Sequence, residues 1–226
     1  MKSIYQQLVE KHGLSPAQKI IISLVDSGKV LEIGSSSGYL TKEFVKKGCK
    51  VDVVEINKED AKEAGKLATF TFVGSIEDEN IQKILKEDYD FIICADVLEH
   101  LVDPEKVLGF FKRKLKKNGQ ILISIPNIAF WNSRIELLKG RFEYQQSGLF
   151  DKTHLRFYTY NSFLKLLQKI GFKIVAIFPA ETKIPFEYSL KKIPLVGWIL
   201  VRFIKPPIIK AFPNLTYYHY VIQAKI

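Results

Sequence analysis

Short runs of apolar, β-branched residues alternate along this chain with stretches in which apolar residues recur every three or four positions. Several of the runs are apolar on both faces, as expected for parallel strands covered by helices, and the periodic stretches predict those helices. The predicted strands are residues 29–33, 50–56, 69–73, 90–95, 120–125, 172–178 and 217–226. Strand and helix repeated in this order predict a doubly wound α/β sheet.

Signals at the ends of the predicted helices support this interpretation. Ser15 followed by Pro16 is typical of a helix start, and Thr159 or Asn161 is a candidate N-cap for the last helix, which Gly171 ends.

Two segments interrupt the alternation. Residues 127–158 lie before the last predicted helix, and residues 179–216, which lie between the last two strands, contain six of the nine prolines. We interpret both as insertions on one sheet, within a single domain of residues 1–226 whose N-terminal helices occupy residues 1–28.

Composition narrows the class of protein. Of 226 residues, 47% are hydrophobic and 26% charged, which is the balance of a folded globular chain. Two cysteines cannot form a disulfide framework, so we expect a reducing, cytoplasmic compartment. The N-terminus lacks the continuous apolar stretch of a signal peptide, and the longest apolar run, residues 193–204, is too short to cross a bilayer.

Basic charge is concentrated near the C-terminal end. The net charge of +10 favours acidic partners such as phosphates, anionic lipid or nucleic acid. Residues 183–210 contain six basic residues and one acidic residue around an apolar run with Trp198. This composition is typical of a segment that lies in a membrane interface. Two interpretations remain: an edge that binds a membrane peripherally, and a lid packed over the sheet edge.

A glycine-containing turn is the first candidate for chemistry. The sequence VLEIGSSSGYL joins a predicted strand to a predicted helix, and Gly34 and Gly38 would let a nucleotide approach the backbone. Glu55 follows 21 residues after Gly34, where a carboxylate can bind both hydroxyls of a ribose. The glycine pattern of NAD sites and the Gly-Lys-Ser/Thr of a P-loop are absent, so an adenosine that carries an amino acid fits better than a diphosphate.

These motifs together resemble those of the class I S-adenosylmethionine-dependent methyltransferases. VLEIGSSSGYL is similar to the first motif of that family, FVGSIED to the third, YDFIICADVLEHLVDP to the fourth, and LKKNGQILISIPN to the turn and strand that follow. The resemblance covers residues 29–178. It implies a Rossmann-like, mostly parallel sheet of seven strands, with an antiparallel last strand and helices on both faces. It also implies an enzyme that uses S-adenosylmethionine.

The resemblance assigns cofactor contacts to individual residues. Glu55 would bind the ribose, Ile56 would pack on the adenine, and Ser75 and Ile76 would border it. Ser36 stands where a glycine is common, and Asp is the commoner residue at position 75. The implied cofactor-binding residues are Glu32, Gly34, Ser36, Gly38, Glu55, Ile56, Ser75, Ile76, Ala95 and Asp96.

Catalytic groups are expected after the fourth strand, because ligands bind at the carboxyl edge of open α/β sheets. Asp96, Glu99 and His100 would share one face if that segment turns helically. His100 is the natural general base, since its reference pKa of about 6.5 lies near neutral pH. We predict His100, Glu99 and His154 as catalytic; alternatively, Glu99 and His100 only hydrogen-bond loop backbone.

A divalent metal is a further alternative. Asp96, Glu99, His100 and His154 offer two oxygen and two nitrogen ligands, a set compatible with Mg²⁺ or Mn²⁺. The Glu-His pair is similar to one in ubiquinone-biosynthesis O-methyltransferases and in small-RNA 2′-O-methyltransferases, and in the latter it belongs to a metal site. Asp96 stands where Glu is usual and no RNA-binding appendage is visible, so we assign no metal ligand.

The acceptor is expected on the side of the two insertions. Residues 147–172 resemble the corresponding stretch of methyltransferases encoded with polysaccharide and lipid-glycan assembly enzymes. Asp151, His154 and Arg156 would cover the acceptor pocket, or Asp151 and Arg156 would only tie down a loop. The function that follows is O-methylation of a small molecule, glycan or lipid-linked intermediate. The alternatives are an RNA 2′-O-methyltransferase with a metal, although nucleic acid is a less favoured partner, and a non-catalytic membrane-associated scaffold.

Overall fold

A single mixed sheet organises the described part of the chain. The computed structural model describes residue 9 and residues 11–185, 187–192 and 194–226, so part of the predicted N-terminal helices lies outside the described residues. Its strands are β1 Lys29–Ile33, β2 Lys50–Glu55, β3 Phe70–Val73, β4 Tyr89–Ala95, β5 Leu115–Pro126, β6 Lys173–Thr182 and β7 Tyr217–Lys225. They pair in the order β3-β2-β1-β4-β5-β7-β6.

The strand directions confirm the predicted sheet. Strands β1 to β5 are parallel to one another, whereas β7 runs antiparallel to both β5 and β6. The order reverses between β1 and β4, because the chain reaches the edge at β3 and then crosses over to β4. At such a reversal the connections leave in opposite directions, and a crevice opens at the carboxyl ends of the two strands.

Helices cover both faces of the sheet, as predicted. The helices before β7 are α1 Pro16–Leu24, α2 Tyr39–Lys46, α3 Lys58–Ala64, α4 Glu79–Ile84, α5 Pro104–Lys114, α6 Trp131–Leu138, α7 Tyr160–Ile170, α8 Glu187–Lys191, α9 Pro194–Ile199, α10 Lys205–Ala211 and α11 Pro213–Thr216. Buried residues of α1, α2 and α3 form one apolar cluster with the strands, and those of α4, α5 and α7 form another. Because side chains alternate along a strand, every strand except the edge strand β3 supplies residues to both clusters.

The helix starts follow the side-chain signals in the sequence. The Ser15 side chain accepts a hydrogen bond from the backbone N–H of Gln18 and so caps α1. Thr159, and not Asn161, caps α7 by accepting from Ser162 N–H. Each cap satisfies a backbone donor that the helix itself leaves free.

The second insertion, for which no secondary structure was predicted, is largely helical. β6 continues to Thr182, four residues beyond its predicted end, and α8 to α11 follow with a π-helical turn at Leu200–Ile204. Proline breaks a helix interior but is tolerated in the first turn, where its missing N–H would have no partner. Pro194 begins α9, and α10 and α11 each have proline in their first turn. Four of the six prolines of this insertion therefore lie at helix starts, whereas Pro179 lies within β6 and Pro185 in the turn before α8.

Asn127 joins the first insertion to the sheet. It is fully buried just after β5. Its Nδ2 donates to the carbonyl oxygens of Asn214 and Tyr217 at 3.1 and 2.8 Å. Its Oδ1 accepts from the backbone N–H groups of Ala129 and Tyr160 at 3.0 and 3.2 Å. One side chain thus fixes the start of the first insertion, the start of α7 and the start of β7 relative to one another.

Replacing this amide should destabilise the fold. Asn127→Ala leaves four partly buried backbone groups without this partner, so we expect the free energy of unfolding to fall by about 3 kcal/mol, measured by urea denaturation. The matched control is Asn132→Ala on α6, where the side chain is exposed and a change within about 0.5 kcal/mol is expected. Equal stabilities of the two variants would contradict the role of Asn127.

Candidate functional site

The glycine loop after β1 is pressed between two neighbouring segments. Gly34 and Gly38 have φ angles of 70° and 86°, in the left-handed region that favours glycine. A Cβ on Gly34 would lie 2.9 Å from Cγ2 of Val97, and one on Gly38 would lie 2.9 Å from Cα of Ala64. Both glycines are therefore required by the packing of the loop, in addition to any close approach by a ligand.

Ser36 occupies the centre of the loop in a conformation that glycine would adopt more easily. Its φ is 46°, which costs about 1 kcal/mol for a residue with a side chain. Its N–H donates to Oε2 of Glu55 at 2.7 Å, and its Oγ lies 2.9 Å from the hydroxyl of Tyr39. These two contacts stabilise the left-handed conformation of Ser36.

Glu55 lies at the end of β2, against the glycine loop. The carboxylate is buried, and its Oε1 accepts from the N–H of Asn57 at 2.9 Å. A carboxylate offers about four lone-pair directions, so the two backbone bonds leave acceptor capacity toward the crevice. Ile56 beside it is 72% exposed, Ile76 is buried, and Ser75 is half-buried. The structure thus brings the predicted ribose and adenine residues to one end of the sheet.

Glu32 on β1 is a buried carboxyl that, among the described residues, accepts from the hydroxyl of Thr41. Thr41 Oγ1 donates to its Oε2 at 2.6 Å. Burial raises the pKa of Glu32 to about 8, and the charge of Glu55 adds to this rise. At neutral pH the carboxyl is therefore mainly protonated, and a cation placed beside it would favour its ionisation.

Asp96 follows Ala95, the half-buried last residue of β4, and forms a pair that the sequence analysis missed. Its Oδ1 accepts from Ser124 Oγ at 2.8 Å and lies 2.6 Å from Nε2 of His219. Burial alone would raise the pKa of Asp96, but the charge of His219 and both hydrogen bonds lower it overall. Asp96, in turn, raises the pKa of His219 against the effect of burial. Only the position of β7 beside β5 could have revealed this partner.

A second cluster contains the predicted catalytic residues. Glu99 and His100 lie on a 3₁₀ turn, Leu98–His100, and candidate ligand atoms of Glu99, His100 and His154 all lie within 4.8 Å of one another. Asp96, the fourth member of the predicted metal set, is not part of this group, because it pairs with His219. The structure therefore brings together three of the four residues.

A hydrogen bond to backbone fixes which ring nitrogen of His100 carries the hydrogen. His100 Nδ1 lies 3.1 Å from the carbonyl oxygen of Thr153. Because a carbonyl can only accept, Nδ1 carries the hydrogen and the lone pair of a neutral His100 is on Nε2. Burial lowers the pKa of His154, and the charge of His100 lowers it further.

Glu99 is buried beside these rings. Its Oε2 has no hydrogen-bond partner among the described residues. Burial raises its pKa well above the usual range, as do the charges of Asp96 and Asp151. Its backbone oxygen accepts from the N–H groups of Leu155 and Arg156, both at 2.9 Å. The turn thus also binds loop backbone, which was the alternative role, but the side chain is left for a ligand or a proton.

Asp151 and Arg156 secure the C-terminal part of the first insertion. Asp151 Oδ1 accepts from the N–H and the hydroxyl of Thr153 at 2.8 and 2.7 Å. The Arg156 guanidinium donates to the carbonyl oxygen of Val102. These contacts agree with the alternative in which both residues tie down the loop.

Removal of the Glu32 charge should stabilise the protein in a pH-dependent manner. The unfolded carboxyl ionises near 4.5, whereas the folded one keeps its proton up to about pH 8, so stability is lost as pH rises through this window. Glu32→Gln cannot ionise. We expect nearly equal urea stabilities at about pH 5 and an advantage for the variant of about 3 kcal/mol at about pH 8. A difference that does not change with pH would show that Glu32 is ionised throughout.

Comparison with known proteins identifies the family to which the chain belongs. The chain matches the methyltransferase domain family over residues 6–177. It is 29% identical over 151 residues to an uncharacterized protein of Methanocaldococcus jannaschii, with 66% of each chain covered. It is 29% identical over 133 residues to a ubiquinone biosynthesis O-methyltransferase of Histophilus somni, with 53% of this chain and 55% of that protein covered. The chain thus matches between half and two thirds of the length of these relatives.

A solved structure supports the fold over its whole length. The crystal structure of a SAM-dependent methyltransferase from Archaeoglobus fulgidus aligns with a TM-score of 0.66 at 22% identity, and the alignment covers 99% of this chain and 100% of that one. The sheet order and the antiparallel last strand described above are those implied by the resemblance in sequence. The chain therefore belongs to the class I S-adenosylmethionine-dependent methyltransferase family.

Proposed function

We propose that this protein transfers the methyl group of S-adenosylmethionine to an oxygen atom of a small molecule, a glycan or a lipid-linked intermediate. The observation that carries the proposal is the contact of the glycine loop with Glu55 at the strand reversal, made by Ser36 N–H at 2.7 Å. This contact aligns the backbone that would face the methionine moiety with the carboxylate that would bind the ribose.

The proposed cofactor site matches the charge of its ligand. S-adenosylmethionine supplies an electrophilic methyl group on a positively charged sulfonium. Glu32 and Asp96 place two acidic groups at the ends of β1 and β4, where Gly34, Gly38 and Ala95 would border the methionine moiety. At the other end of the crevice, exposed Ile56 with Ile76 and Ser75 would enclose the adenine. Burial of Ile56 on binding would remove apolar surface from water.

The chain's own residues would position the acceptor and remove its proton. Methyl transfer is an in-line displacement, so alignment supplies much of the rate. His100 has its free lone pair on Nε2 when Nδ1 donates to Thr153, and is the proposed general base. His154 and Glu99 would hold the acceptor hydroxyl and the imidazole in place.

The two insertions are the proposed acceptor side. The Phe142 ring lies 4.9 Å from that of Phe150 and 5.7 Å from that of Phe157, and Phe157 lies 6.1 Å from His154. This aromatic wall beside the candidate base favours an acceptor with a ring or an apolar chain. The ubiquinone biosynthesis O-methyltransferase among the relatives supports an oxygen acceptor.

A divalent metal is the second candidate for this cluster. Glu99, His100 and His154 offer one oxygen and two nitrogens, a set that suits Mn²⁺ better than Mg²⁺, which prefers oxygen ligands. The buried Glu99 Oε2 without a partner fits a ligand role. These three residues would hold the ion, which would lower the pKa of a bound hydroxyl.

The remaining alternatives are distinguished by substrate and by cofactor. No helix in the described parts of the chain is long and apolar enough to cross a membrane. We propose a cytoplasmic protein that has no dedicated RNA partner and is not an inert scaffold. A radiolabelled methyl-transfer screen over quinone-precursor, lipid-linked glycan and RNA extracts tests this directly. Label in RNA alone would favour the RNA alternative.

Cofactor affinity should depend on Glu55. In Glu55→Gln one charge-assisted bond to the ribose is lost, so binding of S-adenosylmethionine and of its demethylated product should weaken by about 1.5–3 kcal/mol in calorimetry. Glu55 also accepts from the N–H groups of Ser36 and Asn57, and the glutamine side chain would replace one of these acceptor oxygens by an NH₂ group. Thermal unfolding of the same variant is therefore the control for a loss of stability. Absence of heat with either ligand in the unchanged protein would reject the cofactor assignment.

Turnover should depend on His100. If it is the base, His100→Ala lowers the turnover number roughly 10²–10⁴-fold while cofactor affinity stays near that of the unchanged protein. If it is a metal ligand, a chelator abolishes activity and Mn²⁺ or Mg²⁺ restores it. Exposed His12 provides the control variant, His12→Ala, with unchanged turnover. Unchanged turnover in His100→Ala rejects both roles.

A further inference from the structure

The helical segment beyond β6 presents apolar side chains to solvent. On α9 and the π-helical turn, several described side chains are between 38% and 69% exposed: Leu195, Trp198, Ile199, Val201, Phe203 and Ile204. Leu200, between them, is buried. A lid would have buried Trp198 over the sheet edge, but Trp198 is 60% exposed. The segment therefore does not pack as the lid interpretation required.

The segment is attached to the sheet at a defined point. Lys205 Nζ forms an ion pair with Glu187 Oε1 at 2.8 Å and also donates to the carbonyl oxygen of Thr182 at 3.0 Å. The backbone N–H of Ile184, itself buried, donates to Glu187 Oε2 at 3.2 Å. The pair is mostly buried, and its two charges compensate each other. These contacts thus attach the helical segment to the end of β6.

Exposed basic side chains flank this face. Lys192, Arg202 and Lys210 are all exposed, and Lys192 Nζ lies 4.8 Å from the ring centre of Tyr188, which is 78% exposed. The Trp198 ring lies 5.4 Å from that of Phe203. Aromatic and aliphatic side chains surrounded by lysine and arginine form the surface of helices that lie in a bilayer interface.

We propose that residues 187–192 and 194–211 form a membrane-binding surface, which inserts its exposed apolar side chains among the headgroups of an anionic bilayer. Charge complementarity selects this occupant. A second copy of the chain would bring the same basic flanks against Lys192, Arg202 and Lys210, and like charges across an interface oppose association. Anionic lipid neutralises them. This inference goes beyond the proposed methyl transfer and does not depend on it.

The segment that leads into this surface contacts the first insertion. Trp131, the first residue of α6, donates from Nε1 to the carbonyl oxygen of Lys183 at 3.1 Å. On α6, Leu137 and Leu138 are 47% and 87% exposed. A bilayer bound by this membrane-binding surface would therefore lie near the proposed acceptor side. A lipid-linked substrate could then enter the site from the bilayer.

Vesicle sedimentation of the full chain tests the proposal. At low salt the protein should pellet with vesicles of phosphatidylcholine and phosphatidylglycerol, remain in solution with phosphatidylcholine alone, and be released by salt. In Trp131→Phe, Trp198 is the remaining tryptophan, and its emission should shift to the blue on binding. Failure to pellet with anionic vesicles at low salt, or equal pelleting with both vesicle types, would overturn the proposal.

Two variants locate the surface. Lys192→Gln, Arg202→Gln and Lys210→Gln together should weaken partitioning about 100-fold. The control combines Lys62→Gln, Lys66→Gln and Lys83→Gln, which are exposed near the opposite edge of the sheet and remove the same three charges from a total of +10. It should bind within about twofold of the unchanged protein. Equal effects of the two triple variants would show that vesicle binding depends on net charge alone, and would overturn the proposal.

Trp198→Ser with Phe203→Ser removes exposed apolar contacts and should also abolish pelleting. A different result is that the unchanged protein forms a dimer in sedimentation velocity and fails to bind vesicles, while the double variant is a monomer. In that case a second copy of the chain covers the apolar face, and the membrane proposal is wrong.

Calorimetry with S-adenosylmethionine distinguishes the membrane proposal from the proposed methyl transfer. Cofactor binding without vesicle binding refutes only the membrane surface, and vesicle binding without cofactor binding refutes only methyl transfer.

Discussion

The crossover that carries the chain from β3 past β1 to β4 is the constraint on which the site depends. Parallel strands joined by right-handed crossovers place helices on alternate faces only when the direction of winding reverses. The reversal leaves the ends of β1 and β4 without a connection between them. The glycine loop, Glu55, Asp96 and the 3₁₀ turn are brought together by this one topological step, although they are spread from residue 34 to residue 100.

Carboxyl groups around this crevice differ in environment rather than in chemistry. Glu55 accepts hydrogen bonds from the backbone N–H groups of Ser36 and Asn57. Glu32 has a single hydroxyl donor, and an oxygen of Glu99 has no partner among the described residues, so burial dominates both and raises their pKa values. The same residue type can therefore serve as a permanent acceptor at one position and as a proton-holding group at another.

Local patterns in the sequence were sufficient for much of this structure. Strand runs, helix caps and the glycine loop depend on neighbours a few residues apart. The seven strands were predicted in the right order, although β5 begins at Leu115 and β6 ends at Thr182, outside their predicted bounds. The cap Ser15 was predicted, and Thr159 was one of two candidates for α7. His219 was not found, because its partner Asp96 lies 123 residues away and is adjacent only after β7 inserts beside β5. The helices of the second insertion were missed for another reason. No helix was predicted there, although proline is tolerated in the first turn of a helix.

The buried amide of Asn127 has a consequence for how the chain folds. Two of its bonds join residues separated by 87 and 90 positions in sequence. Contacts of such long range form late, since the closure entropy of the intervening loop must be overcome before they contribute. The parallel core from β1 to β5 is complete in sequence before Asn127 meets its partners. Both insertions are thus expected to order in a final cooperative step, after the crevice that they flank already exists.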